Sequence, residues 1–167
     1  MTSRFVVMGV AGCGKSSIGV AFAELIGATF TDGDDLHPPE NVAKMAIGSA
    51  LNDQDRAPWL QKVGHALANE ESLPHVIGCS ALKRKYRDTI RDNAGGEVTF
   101  IHLDGSRELI ARRMAERVDH FMPSSLLDSQ FAALEPLEQD ETFVRIDIDQ
   151  TPDAIVSALV ANFEREH

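Results

Sequence analysis

The 167-residue sequence has few cysteines and a deficit of positive charge. Its two cysteines, Cys13 and Cys79, form no C-x-x-C pair and no Cys/His cluster, which argues against a zinc site and a disulfide framework. The net charge is −10, whereas a nucleic-acid-binding face needs an excess of Lys and Arg. No apolar run approaches the roughly 20 residues that span a bilayer. We therefore expect neither nucleic acid nor a membrane as a partner.

What positive charge there is lies mostly in one stretch. Nine of the 16 Lys and Arg residues fall between Lys83 and Arg117. Such a stretch suits a small anionic ligand, although a solvated helix face would explain part of it. The N-terminal run MTSRFVVMGV leads straight into glycines and a lysine, which predicts a first strand and not a signal peptide. We therefore expect a cytoplasmic protein.

Strand-like apolar runs alternate with helical patterns along the chain. The strand candidates are 4–10, 28–34, 75–81, 98–104 and 142–148. Apolar stripes at helical spacing separate them: Ile18, Phe22, Leu25 and Ile26; Trp59, Leu60, Val63 and Leu67, with Pro58 near the helix start; Leu109, Ile110 and Met114; and Ile155, Val156, Leu159, Val160 and Phe163 after an N-cap at Thr151. This alternation predicts one α/β domain with a mostly parallel sheet and helices on both faces.

A glycine-rich segment between the first strand and the first helix is the strongest motif. It reads G-x-x-x-x-G-K-S and comprises Gly9, Val10, Ala11, Gly12, Cys13, Gly14, Lys15 and Ser16. In this P-loop, backbone N–H groups and the helix N-terminus cradle phosphate, Lys15 reaches the β- and γ-phosphates, and the Ser16 hydroxyl binds Mg²⁺. Ser17 follows in the same turn. The chain has no N-K-x-D element, which argues against a guanine-specific switch.

Two carboxylates follow the second strand, where the P-loop also opens. Ligands of open α/β sheets bind beyond the carboxyl ends of the strands, and alternation along an extended chain would put Asp32 and Asp34 on one side. We predict that Asp32 serves the metal and that Asp34 accepts the proton of an acceptor hydroxyl. A simple Asp- and Gly-rich turn is the alternative.

Four further segments give the chain a family resemblance over nearly its whole length. They are D-G-D followed by L-H-P, E-N and K-M from Asp32 to Met45; L-N-D-Q-D-R followed by P-W-L from Leu51 to Leu60; C-S-A-L-K followed by Y-R from Cys79 to Arg87; and His120-Phe121. These segments resemble the gluconate kinase (gluconokinase) family, relatives of shikimate kinase. Shikimate kinases share the D-x-D but lack the second and third segments.

The resemblance implies an enzyme that uses ATP and Mg²⁺ to phosphorylate D-gluconate on its 6-hydroxyl. It also implies a three-layer α/β/α P-loop fold with a five-stranded parallel sheet, a helical lid at about 118–134 within the single domain 1–167, and a homodimer. Two alternatives stay open: a kinase of another small acceptor such as shikimate, and a nucleotide-binding regulatory module without catalysis.

The remaining site predictions concern the acceptor and the lid. The acceptor carboxylate calls for a cation, for which Arg56, Lys83 and Arg87 are the candidates, and His37 is placed at the polyol. Arg113 and Arg117 lie four residues apart before the loop 118–125. By resemblance to related kinases, Arg117 would stabilise the transferring phosphate, and His120 would pin the lid or touch the substrate. Capping of the helix C-terminus is the alternative for both residues.

By resemblance, Arg113, Gln150 and Pro152 belong to the nucleotide site. Gln150 and Pro152 lie in the segment after the fifth strand, which would flank the adenine.

Overall fold

The computed structural model describes residues 3–116 and 124–166 as a parallel sheet covered by helices on both faces. The strands are β1 Arg4–Met8, β2 Thr29–Asp32, β3 His75–Gly78, β4 Val98–Asp104 and β5 Phe143–Asp147. The helices are α1 Lys15–Ile26, α2 Pro39–Ala46, α3 Asp53–Ala68, α4 Arg84–Asn93, α5 Arg107–Ala115, α6 Ser124–Ala133 and α7 Pro152–Glu166. Short 3₁₀ turns occupy Gly33–Leu36 and Glu70–Ser72. None of the helices within the described ranges has the length and apolar character needed to cross a membrane.

The strand order explains where a site can form. The sheet has five parallel strands, as the family resemblance implied, and their order is β2-β3-β1-β4-β5. The order therefore reverses at β1, and the loops after β2 and β3 lie on one side of the P-loop while those after β4 and β5 lie on the other. Ligands of open α/β sheets bind at such a reversal.

Two apolar layers hold the helices to the sheet. Side chains alternate along β1, so Phe5 and Val7 pack into one core while Val6 and Met8 pack into the other. The first core includes α1, α5 and α7, and the second includes α3 and α4. The first core thus positions α1, which follows the P-loop, and the second core positions α3 and α4.

Several predicted details differ from the structure. Leu25 was placed on the core side of α1 but is 65% exposed, because the buried face turns through Ile18 and Phe22 instead. Pro58 was placed near the start of its helix and lies inside it, since α3 starts at Asp53, where the Asn52 side chain and the third helical residue form a capping box. The N-cap at Thr151 is confirmed, since its hydroxyl accepts a hydrogen bond from Ala154 N at 3.2 Å.

Candidate active site

The P-loop connects β1 to α1 through a glycine in a left-handed conformation. Gly14 adopts φ 99°, a left-handed conformation that glycine tolerates, and α1 begins at the next residue. Gly9 N donates to Ser80 O at 3.2 Å, which ties the start of the loop to the segment after β3. The N-terminus of α1 therefore faces the same cleft as the β3 loop, where its dipole favours an anion.

The Lys15 ammonium is held inside the loop. Its Nζ donates to Gly9 O at 3.1 Å and to Val10 O at 3.2 Å. Lys15 lines a cleft of about 200 Å³ together with Ser16, Asp32 and Asp34, so the predicted catalytic lysine, metal ligands and base lie around one space.

The other P-loop side chains lie at different depths. Ser16 and Ser17 are exposed at the first turn of α1, whereas Cys13 is buried beneath the loop. Cys13 can therefore meet a phosphate only through its backbone. Burial raises the pKa of the second cysteine, Cys79, to about 12, so this thiol stays protonated at neutral pH.

The two carboxylates reach the cleft by a different route from the one predicted. The extended chain ends at Asp32, and the next residues form a 3₁₀ turn, so strand alternation does not place Asp34. Instead the Asp32 side chain accepts a hydrogen bond from Asp34 N at 2.9 Å and fixes the turn. Gly33 is needed there, because a Cβ would come within 2.4 Å of Gly78 O.

The surroundings of Asp34 suit a proton acceptor. Desolvation, followed by the nearby Asp32 carboxylate, raises the pKa of Asp34 above its ordinary value, while His37 and Lys15 partly oppose the rise. A more basic carboxylate accepts a hydroxyl proton more readily, provided that it is still ionised at the working pH. The position of Asp34 on the cleft and its raised pKa suit the predicted role as a base, which stays a prediction.

His37 is fixed by stacking and by one hydrogen bond. Its ring stacks on Trp59 at a centroid distance of 4.2 Å, and its Nδ1 lies 3.2 Å from Asn41 Nδ2. Trp59 Nε1 in turn donates to Gly33 O at 2.7 Å, so the turn that carries Asp34 and the His37 ring share one support. Desolvation lowers the pKa of His37, which keeps the imidazole neutral at pH 7.

A second cleft, of about 340 Å³ and called the acceptor cleft below, is lined by two of the predicted carboxylate-binding cations. Arg56 and Lys83 both line it, and each places its charge 5.6 Å from the centre of the Tyr86 ring. Tyr86 also accepts a hydrogen bond from Arg56 Nη1 at 3.2 Å. Asp53 lies 3.8 Å from Arg56 and 3.7 Å from Lys83 and accepts a hydrogen bond from the Tyr86 hydroxyl at 2.5 Å. The cluster keeps both cations at the cleft without burying them.

Arg87 is the clearest correction to the predicted site. Its side chain is fully buried and points away from the cleft, where Nε donates to Glu141 Oε1 at 2.7 Å and Nη2 to Oε2 at 3.3 Å. Nη1 donates to Ala81 O and Leu82 O at 3.0 and 3.2 Å. The guanidinium donates its hydrogen bonds to Glu141 and to main-chain carbonyls, so it is not available to a substrate carboxylate.

Most of the positive charge on α4 is likewise paired within the protein. Arg84 contacts Asp88, Glu138 and Asp140, and Arg91 contacts Asp88 and Glu141. Three arginines of the basic stretch, Arg84, Arg87 and Arg91, thus form an ion-pair network that fastens α4 to the segment before β5. Lys83, the cation directly before α4, also lines the acceptor cleft.

Two of the three predicted nucleotide-base residues, Arg113 and Gln150, are in contact. Arg113 Nη2 donates to Gln150 O at 3.4 Å, and Gln150 Nε2 donates to Asp147 O at 2.6 Å. Pro152 is the exposed first residue of α7. A cavity of about 400 Å³ lies between the ends of β4 and β5 and is bordered by Asp147. A base-binding role for this group stays a prediction.

Two predicted site residues, Arg117 and His120, lie outside the described residues. The described part of the predicted lid is α6, which contributes a residue that sequence reasoning missed. Gln130 Oε1 accepts a hydrogen bond from Ala11 N of the P-loop at 2.8 Å. No motif marked this contact, because the two residues are 119 positions apart.

The residues present fit a magnesium ion with few protein ligands. The Ser16 hydroxyl and the Asp32 carboxylate are hard oxygen donors on one cleft. Mg²⁺ commonly takes one or two such donors and completes its octahedron with water and substrate phosphates. Within residues 3–116 and 124–166, no group of three or more His, Cys, Asp or Glu side chains could hold a metal by itself. This donor set therefore suits a metal that arrives with a nucleotide.

Comparison with known proteins places the chain in a family. The family model described as shikimate kinase matches residues 11–164. The gluconokinase of Gluconobacter oxydans is 42% identical over 163 residues, which cover 96% of this chain and 91% of the relative. The thermosensitive gluconokinase of Escherichia coli is 47% identical over 147 residues, covering 86% of this chain and 78% of the relative.

A solved structure agrees with these relatives. The crystal structure of a gluconokinase from Sinorhizobium meliloti superposes with a TM-score of 0.88 at 48% sequence identity, covering 97% of this chain and 91% of that one. The likeness extends over the sheet, both helical layers and the cleft, since nearly the whole chain is covered.

Proposed function

Because the chain belongs to the gluconokinase family of P-loop kinases, we propose that it transfers the γ-phosphate of ATP to the 6-hydroxyl of D-gluconate, giving 6-phospho-D-gluconate and ADP. One observation of the structure carries the proposal. The P-loop cleft with Lys15 and Asp34 adjoins a second cleft that presents Arg56 and Lys83, and Ser80 lines both. A phosphate donor and an anionic acceptor can thus bind side by side.

The first part of the mechanism is the binding of the donor. The P-loop N–H groups and the α1 N-terminus bind the phosphates, and Lys15 leaves its two carbonyl partners for the phosphate oxygens. Ser16 and Asp32 would hold Mg²⁺, which supplies neutralisation of phosphate charge when bound. Phosphoryl transfer passes through a loose transition state, so positioning and charge neutralisation carry most of the rate enhancement.

The second part is the placement of the acceptor. Arg56 and Lys83 bind the carboxylate of gluconate, which anchors one end of the chain of hydroxyls. His37, held neutral against Trp59, hydrogen-bonds a hydroxyl. The 6-hydroxyl then meets Asp34, which accepts its proton as the oxygen attacks the γ-phosphorus; help of this kind is typically worth about 10²–10⁴-fold.

The roles of the remaining predicted site residues, the lid, the homodimer and the cytoplasmic location stay predictions. Arg117 would stabilise the transferring phosphate, and His120 would touch the substrate. Arg113, Gln150 and Pro152 would border the base. The single domain 1–167 with a lid at about 118–134, the homodimer and the cytoplasmic location are expectations from the sequence.

The test is release of ADP from Mg-ATP in the presence of gluconate, shikimate, other sugar acids and neutral sugars. We expect gluconate to raise the rate by orders of magnitude and the neutral sugars to leave it near the background. A similar stimulation by shikimate or by a neutral sugar would contradict the proposed acceptor. ATP binding without any acceptor-dependent turnover would instead indicate a regulatory module.

A further inference from the structure

Helix α6 places a neutral hydrogen-bond acceptor on the P-loop. Gln130 Oε1 lies 2.8 Å from Ala11 N, one of the backbone N–H groups of the loop. P-loop N–H groups bind phosphate oxygens. The amide oxygen therefore occupies one N–H donor of the loop that would otherwise be open to a phosphate oxygen.

The same side chain borders both clefts. Gln130 lines the phosphate cleft with Lys15 and Asp34, and it lines the acceptor cleft with Arg56 and Lys83. Its neighbour Ser129 lines the acceptor cleft but not the phosphate cleft. A rotation of the Gln130 side chain would therefore change the lining of both clefts.

The helix that carries Gln130 is anchored at several points. Leu127 is buried in the core, and Asp128 pairs with Arg107 of α5. Just beyond the helix, Glu135 N donates to Leu82 O at 2.7 Å, and the Glu135 carboxylate accepts from Arg84 N. The contact with Ala11 N is made by the side-chain amide alone, so a rotation of the Gln130 side chain would release it.

We propose that Gln130 is a positioning residue that couples nucleotide binding to acceptor binding. A phosphate oxygen makes a stronger, charge-assisted bond to Ala11 N than the amide does, so the nucleotide displaces Gln130. The freed amide turns to the acceptor cleft, where its NH₂ and its carbonyl match the donors and acceptors of a polyol. This inference rests on the proposed function, since the acceptor is taken to be gluconate.

The measurement is the dissociation constant of gluconate with and without a saturating non-hydrolysable ATP analogue and Mg²⁺, by calorimetry. One net hydrogen bond corresponds to about 2- to 13-fold in affinity. We expect the analogue to tighten gluconate binding by a factor in this range. By linkage, gluconate must tighten binding of the analogue by the same factor.

Gln130→Met keeps the length of the side chain but removes the amide. We expect the coupling factor to fall to about 1 and the analogue alone to bind more tightly, because no amide competes for Ala11 N. Ser129→Ala is the matched control, since it alters the acceptor cleft from the same helix without touching the P-loop; it should keep the coupling. Thermal unfolding verifies that both variants fold.

The outcomes separate the two proposals. A wild-type protein without coupling, or a Gln130→Met variant with the wild-type coupling factor and nucleotide affinity, would overturn the role of Gln130 while gluconate turnover stands. If the wild type neither binds nor phosphorylates gluconate, the proposed function fails. The affinity of Gln130→Met for the analogue alone then still tests the Ala11 contact, and an unchanged affinity refutes it.

Discussion

Replacing Arg87 should reduce stability and not acceptor recognition. In Arg87→Met, Glu141 loses its bidentate partner and keeps Arg91 Nη2 at 2.9 Å, Glu138 N at 2.8 Å and the more distant Arg84 Nη1 at 3.8 Å. Ala81 O and Leu82 O lose the donor Nη1. Removing one member of a buried ion pair costs about 3–5 kcal/mol. For a domain of this size that corresponds to a fall of roughly 6–20 °C in Tm.

The comparison needs a surface pair as its control. Arg107 and Asp128 form an ion pair with both side chains substantially exposed, and exposed pairs contribute about 0–1 kcal/mol. Arg107→Met should therefore lower the free energy of unfolding far less than Arg87→Met, as measured by urea titration. The KM for gluconate of folded Arg87→Met should stay near the wild-type value. Unchanged stability together with a KM raised tenfold or more would refute the structural role of Arg87.

Three further predictions concern the clefts. Asp34→Asn should lower kcat by about 10²–10⁴-fold with little change in the KM for ATP, and a change confined to ATP binding would show that Asp34 is not the base. Arg56→Met and Lys83→Met should each raise the KM for gluconate by about 10- to 100-fold, because each removes one charge-assisted hydrogen bond, and kcat should change less. A change in the KM for ATP alone, measured by steady-state kinetics, would contradict this. Because desolvation raises the pKa of Asp34 above 3.8, kcat should fall as the pH drops through this raised value, where the base becomes protonated. The acid limb should persist in His37→Asn, and its loss there would assign it to the histidine.

The sequence predicted the parts of the fold that follow from local pattern. The P-loop motif lies between a buried strand and a helix start, and the structure has β1 and α1 there. The strand 98–104 was predicted with its observed bounds, while 4–10 and 75–81 each extend beyond the observed strand, because the chain turns toward the cleft after Met8 and Gly78. Periodicity does not reveal where a strand leaves the sheet.

The errors at the site come from partners distant in sequence. Arg87 follows a conspicuous C-S-A-L-K segment, but its partner Glu141 lies 54 residues away, and no local signal pairs them. Gln130 lies in a helix without any motif, and only the folded chain brings it to Ala11. Asp34 was placed at the cleft by an argument about strands, whereas a 3₁₀ turn capped by Asp32 puts it there. The sequence thus predicted two cations of the cleft, Arg56 and Lys83, but contained no signal that Arg87 pairs with Glu141 instead.

The most direct test of the central claim identifies the product. The protein is incubated with Mg-ATP and gluconate, and the phosphate ester is located by ³¹P and ¹³C NMR. We expect one new phosphate ester, on carbon 6 of gluconate, formed in equal amount with ADP. An ester on another carbon, or ADP accompanied only by free phosphate, would contradict it.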